Sequence, residues 1–184
     1  MVQGGSQWRG VVFASPRGLR STAMFTGRHD LTLDPKNRLS VPIDVRVELH
    51  PETHGTRFYV VPGFRKNTLC LFPELFFRAH AREYLTRLME PEDQLDFEDF
   101  VLGRSELAEI DKQGRMVVPD HLLRMAGIGT ALTLTGGGDH LVLWSREDYE
   151  NRVSSAGQRG PEVWTAVRRK GQSAGPATAA TATV

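Results

Sequence analysis

Apolar and polar residues alternate through Arg28–Leu33, with His29, Leu31 and Leu33 on one face. A period of two is the mark of a half-buried strand. The same alternation returns in reduced form at Ala108 and Ile110. Two further pairs of apolar runs flank glycine-containing loops. Phe58-Tyr59-Val60-Val61 and Leu69–Phe72 enclose Gly63, and Leu132-Thr133-Leu134 and Leu141–Trp144 enclose Gly136-Gly137-Gly138. These read as β-hairpins whose glycines supply positive φ. Pro42 and Pro119 suit the first position of a short helix, where a missing N–H costs nothing. Gly127 then closes the second of these helices as a left-handed cap. Phe77, Ala81, Tyr84 and Leu88 recur at helical spacing, and after Pro91 a shorter helix carries Leu95 and Val101. Ser145 with Asp148 resembles a capping box at the start of a helix that holds Tyr149.

The pattern is duplicated. Asp34-Pro35-Lys36-Asn37-Arg38-Leu39-Ser40-Val41-Pro42 returns 77 positions later as Asp111-Lys112-Gln113-Gly114-Arg115-Met116-Val117-Val118-Pro119. Thr68–Pro73 returns 72 positions later as His140–Ser145. Two blocks matching in the same order define an internal repeat. Each copy reads strand, turn, strand, short helix, strand, turn, strand, helix. The fold class is therefore α+β and mainly β, with a helical segment between the copies.

Composition narrows the possibilities. Hydrophobic residues make up 40% and charged residues 24% of the chain, which suits a globular core. No apolar run reaches the roughly 20 residues of a membrane span. Residues 1–23 lack a secretory apolar stretch and read as a disordered leader or upstream extension. The lone Cys70 permits no internal disulfide and suits a reducing cytoplasm. The net charge of +1 is unevenly spread: residues 1–23 hold three arginines and no acid, while the middle of the chain is acidic. Glu90, Glu92, Asp93, Asp96, Glu98 and Asp99 crowd the segment between the copies. An acidic middle argues against indiscriminate nucleic-acid binding, so DNA contact requires a local basic patch. A short helix from residue 148 is followed by an Ala/Thr-rich tail too poor in large apolar groups to offset its ordering entropy, and 148–184 is expected to end disordered.

The repeated Asp-x-x-x-Arg carries the most chemistry. Asp34 and Asp111 close one strand, and Arg38 and Arg115 open the next. An aspartate in that place accepts backbone N–H bonds and fixes a turn. Asn37 and Gly114, each just before the arginine, are the residue types that best tolerate left-handed geometry. Asp34, Asp111 and Gly114 thus read as structural. Arg38 and Arg115 either lock the turn or reach a phosphate or guanine edge, while Lys36 and Lys112 suit phosphate and Asn37 and Gln113 suit adenine. A solvated surface role stays open for each tip residue taken singly. Arg28 and Arg46 lie near the first copy in sequence, and Glu106 and Glu109 near the second, so the first copy is expected to read DNA. Nothing converges on a reaction. The six histidines are scattered, HExxH is missing, and Gly136–Gly138 lacks the Gly-Lys-Ser/Thr ending of a phosphate loop. No catalytic residue, metal, cofactor or small-molecule substrate is expected, and the chain does not read as an enzyme.

Met24-Phe25-x-Gly27, Asp34-x-x-x-Arg38-Leu-x-Val-Pro42, Leu102-Gly103 and Asp111-x-x-x-Arg115 together resemble the MraZ family over about Met24 to Arg152. Pro35 and Asn37 depart from the Lys-Gly or similar pair usual before the first arginine. The resemblance implies two tandem AbrB-like (SpoVT-AbrB) swapped-hairpin units forming a pseudo-symmetric barrel, at 28–75 and 104–147, joined by a helical acidic connector at 76–103. It also implies a sequence-specific transcriptional regulator that binds promoter repeats ahead of the division and cell-wall gene cluster. Its partners would be double-stranded DNA and itself, as a ring oligomer, with no membrane, in a nucleoid-associated cytoplasmic setting. An AbrB-like antitoxin and a structural ring without sequence-specific binding are the alternatives.

Overall fold

The computed structural model describes residues 23–86, 91–156 and 160–173. The first copy contributes β1 (Arg28–Thr32), β2 (Arg38–Ser40), α1 (Ile43–Glu48), α2 (Pro51–His54), β3 (Arg57–Pro62) and β4 (Thr68–Pro73). Helices α3 (Glu74–Thr86) and α4 (Pro91–Phe100) and a 3-10 turn at Leu102–Arg104 lead to the second copy. That copy holds β5 (Glu106–Glu109), β6 (Arg115–Val117), α5 (Asp120–Met125), β7 (Ala131–Gly136) and β8 (Leu141–Ser145). These elements lie in one compact unit ending at Arg146, and a second begins at Glu147. The second unit contains most of α6 (Arg146–Ala156) and all of α7 (Gly160–Ser173). Helix α7 falls in the stretch whose composition reads as unstructured, while residues 1–22 and 174–184 lie outside the described residues.

The copies do not sit side by side. Their strands cross into a six-stranded antiparallel sheet of order β1-β7-β8-β4-β3-β5, with β2 and β6 forming a separate two-stranded ladder. Among these strands only the β3·β4 and β7·β8 hairpins pair within a copy. The register is self-complementary: Leu39 faces Met116 and Cys70 faces Val142, each pair being one repeat position taken twice. Likewise Leu31 opposes Leu132 and its counterpart Ala108 opposes Phe58. The pairing has the form of an internal two-fold. The expected barrel does not close, because β1 and β5 are the edges of an open sheet and β2·β6 stays apart from it.

Strands β4 and β8 occupy the centre and are covered on both faces, which is why Leu69-Cys70-Leu71-Phe72 and Leu141-Val142-Leu143-Trp144 read as continuous apolar runs and not alternations. Leu39, Val41, Val45, Met116, Val118 and Leu122 bring the ladder and the two short helices into the same core. Truncating one such leucine to alanine costs ~2–5 kcal/mol. Pro42 and Pro119 precede α1 and α5 as N-caps, one place earlier than the sequence suggests. Gly127 (φ 63°) ends α5 in a Schellman motif, with Gly127 N–H donating to Arg124 O at 3.1 Å and Ile128 N–H to Leu123 O at 2.9 Å. In α4 the buried residue is Phe97, whereas Leu95 is 62% exposed. Gly63 does not supply positive φ to its hairpin. Asn67 does (φ 59°), and Gly63 is needed because a Cβ there would land on Thr68.

One pair of equivalent positions exchanges its chemistry between copies. His29 on β1 meets Asp44 on α1 at 3.1 Å, and Glu106 on β5 meets His121 on α5 at 3.3 Å. The strand-to-helix tie is thus kept while the histidine and the acid swap places.

Candidate nucleic-acid interface

Each Asp-x-x-x-Arg builds the same turn. Asp34 Oδ1 accepts the N–H groups of Lys36 at 2.8 Å and Arg38 at 2.9 Å, and Oδ2 accepts from Arg38 Nε. Asp111 Oδ1 accepts from Gln113 N at 2.8 Å and Arg115 N at 2.9 Å, and Oδ2 from Arg115 Nη2 at 2.8 Å and Nε at 3.0 Å. Asn37 N–H donates to Asp34 O and Gly114 N–H to Asp111 O, both at 2.9 Å. Asn37 (φ 55°) and Gly114 (φ 76°) both hold the left-handed conformation. The backbone N–H of the following arginine is the leading cause that holds each aspartate below the ordinary carboxylate value, followed by the guanidinium and a second N–H. Hydrogen bonds to the charged form favour it. The aspartates are therefore the fixed bases of the turns, and the arginine planes are fixed by them.

The ladder carries these arginines onto one face. In β2·β6 Arg38 opposes Val117, Leu39 opposes Met116 and Ser40 opposes Arg115. Leu39 and Met116 point into the core, so the alternation of the strands turns Arg38, Ser40, Arg115 and Val117 outward. Pairing continues beyond the ladder, with Val41 N–H donating to Gly114 O at 2.8 Å and Val118 N–H to Asn37 O at 2.9 Å. The two turns consequently sit at opposite ends of one ribbon, about 14 Å apart at a rise of about 3.4 Å per residue. Lys36, Lys112 and Gln113 are exposed on the tips.

The crossing also decides which helix flanks which turn. Arg46, exposed on α1 of the first copy, lies over Gly114 of the second: a Cβ on Gly114 would stand 2.9 Å from Arg46 Cζ. Its Nε donates to Val41 O at 3.2 Å. Conversely Asn37 of the first turn donates from Nδ2 to Asp120 of α5 at 3.3 Å, and Asp120 pairs with Arg124 at 2.8 Å. Arg28 is not brought into this cluster. It sits at the far end of β1, about 20 Å along the strand from Asp34, and pairs with Asp30 at 2.8 Å. Ser40 and Val117 belong to the outward face but do not stand out in the sequence. The alternation in Arg-Leu-Ser and Arg-Met-Val is the signal that finds them.

Among the described residues no group of three His, Cys, Asp or Glu side chains is placed to hold a metal ion, and no helix is long and apolar enough to cross a membrane. Burial pushes the Cys70 thiol up to about 12, away from the thiolate needed of a nucleophile.

Comparison with known proteins gives this geometry a context. A family model described as "MraZ protein, putative antitoxin-like" matches residues 101–160. The transcriptional regulator MraZ of Mycoplasmopsis pulmonis is 33% identical over 125 residues, spanning 68% of this chain and 81% of the relative. That of Leuconostoc mesenteroides is 32% identical over 127 residues, spanning 68% and 84%. That of Leuconostoc citreum is 28% identical over 140 residues, spanning 76% and 94%.

Proposed function

The chain belongs to the MraZ family of transcriptional regulators, and from that premise we propose that it reads double-stranded DNA with the outward face of β2·β6 and its two turns. The observation that carries this reading is the placement of Arg38 and Arg115, both half-buried, on the one outward face of the ladder, each oriented by its own aspartate. The described bonds of Arg38 use Nε, which leaves the Nη edge for a guanine edge or a phosphate. Lys36 and Lys112 take phosphate, and Gln113 takes a base edge. Arg28, remote and paired with Asp30, has a peripheral part at most. The crossed ladders support a swapped-hairpin relation between the copies.

One ribbon makes few contacts on a chain whose middle is acidic, so a single unit binds weakly. A homo-oligomeric ring engaging successive promoter repeats gains avidity by effective concentration, ~10²–10⁴-fold. Repeats ahead of the division and cell-wall genes, reached in the cytoplasm at the nucleoid, are the proposed targets.

The test is a gel shift with the duplex upstream of the chain's own coding region, run beside a scrambled duplex across a salt series. Wild type prefers the former, and Arg38→Ala loses that preference while it still unfolds cooperatively and keeps its oligomer size. A folded Arg38→Ala protein that keeps the preference refutes the reading.

The wording of the matched family model supports a second reading, a DNA-binding module that also holds a toxin. It requires a stoichiometric protein to co-purify with the full chain and to be lost when residues 157–184 are removed.

A further inference from the structure

The sequence order places Arg46 beside the first turn, but the fold delivers it to the second. We infer that the second turn, with Arg46 laid across Gly114, is a binding site for a phosphate of the DNA backbone, assembled from both copies of the repeat. This rests on the DNA-binding reading above and says which end of the ribbon grips the backbone with a guanidinium.

Four observations converge on it. Arg46 is exposed and has no carboxylate partner among the described residues, whereas the motif arginines Arg38 and Arg115 each have one. Its guanidinium is held in place, because Nε is spent on Val41 O at 3.2 Å while Cζ and Nη1 lie over Gly114, 2.9 Å from where a Cβ there would stand. A guanidinium fixed by one edge presents a ready planar fork to a phosphate. Lys112, exposed two residues before Gly114, adds a second cation to the same tip.

The first turn is built the other way. The position equivalent to Ile43 of α1 is Asp120 of α5, and its carboxylate holds the Asn37 amide at 3.3 Å. A phosphate approaching that tip meets an acid whose only ion-pair partner among the described residues is the exposed Arg124, and the Asn37 amide is already engaged. The two turns share a backbone and differ in what the opposite copy lays against them.

Gly114 is required twice over. Its φ of 76° disfavours any side chain, and a Cβ would push the guanidinium off the turn. Gly127 supplies the matching control, because it is also left-handed (φ 63°) but has open space around it.

The experiment measures affinity for the upstream duplex and for a scrambled duplex of equal length across a salt series. The variants are Arg46→Gln, Gly114→Ala and Gly127→Ala, each checked for an intact unfolding transition. Arg46→Gln is expected to weaken both duplexes alike, roughly tenfold, and to lower the slope of log affinity against log salt by about 1. Gly114→Ala should reproduce the loss of slope, and Gly127→Ala should keep the wild-type slope. An unchanged slope in Arg46→Gln, with wild type binding normally, overturns the inference and leaves the DNA-binding reading standing. Failure of wild type to bind either duplex overturns that reading instead.

Discussion

Asp34 and Asp111 each gather two backbone N–H groups and a guanidinium, so their charge belongs to the folded state. Because their folded pKa lies below the ordinary 3.8, the stability they confer is complete above that value and declines as the pH falls below it. Asp34→Asn and Asp111→Asn should each lower the thermal midpoint at neutral pH. They should also flatten the loss of stability below pH 3.8, read by circular dichroism across an acid series. An unaltered midpoint in both would remove the aspartates from the fold's support. His54 works in a different range. It is buried, with Ala23 N–H directed at Nε2 at 3.1 Å and His50 N–H at Nδ1 at 3.0 Å. A neutral imidazole accepts only one of these and an imidazolium neither, and burial is the leading cause that lowers its pKa from 6.5. The contribution of His54 is whole above that value and is lost as the pH falls through the lower folded one. His54→Leu should therefore be less sensitive than wild type to acidification below pH 6.5, measured by denaturant midpoints.

Most elements of the two copies were legible from local chemistry, though α7 was not. Alternation marked β1, glycine loops between apolar runs marked both hairpins, and Pro42 and Pro119 marked the short helices. The Asn37 and Gly114 positions announced a left-handed turn that the backbone adopts. Partnership was not legible. A strand carries a face and a period but no label for the strand that pairs with it, and β2 finds β6 a full repeat length away. That is why local charge, counted along the chain, assigns Arg46 to the first turn while the folded ribbon assigns it to the second. Ser40 and Val117 have no counterpart signal in residue chemistry, and only the three-residue alternation of their strands points to them. The pairing makes its own prediction. Leu39 and Met116 face each other at the centre of the ladder, so Leu39→Ala and Met116→Ala should each cost ~2–5 kcal/mol. Their double variant should deviate from additivity by ~0.5–3 kcal/mol in urea unfolding. Strict additivity would mean that the two side chains do not share one packing site.

For the molecule as a whole, three of its five strand ladders in the main sheet and the whole of β2·β6 join one copy to the other. A fragment covering 24–103 keeps only its β3·β4 hairpin as an internal pair. Because the register is self-complementary, such a fragment has one route to a full set of partners, a second copy of itself. Analytical ultracentrifugation should find 24–103 unfolded when dilute and dimeric when concentrated, and a folded monomer would contradict the interleaved topology. The intact chain escapes this mass action. Two separate half-chains would form the paired turns only above their dissociation constant, and the ribbon between Asn37 and Gly114 would come apart on dilution. Carried on one chain, the two turns meet at a rate and a population that do not depend on how many molecules are present. Scarcity can thin the number of ribbons, but it cannot split one.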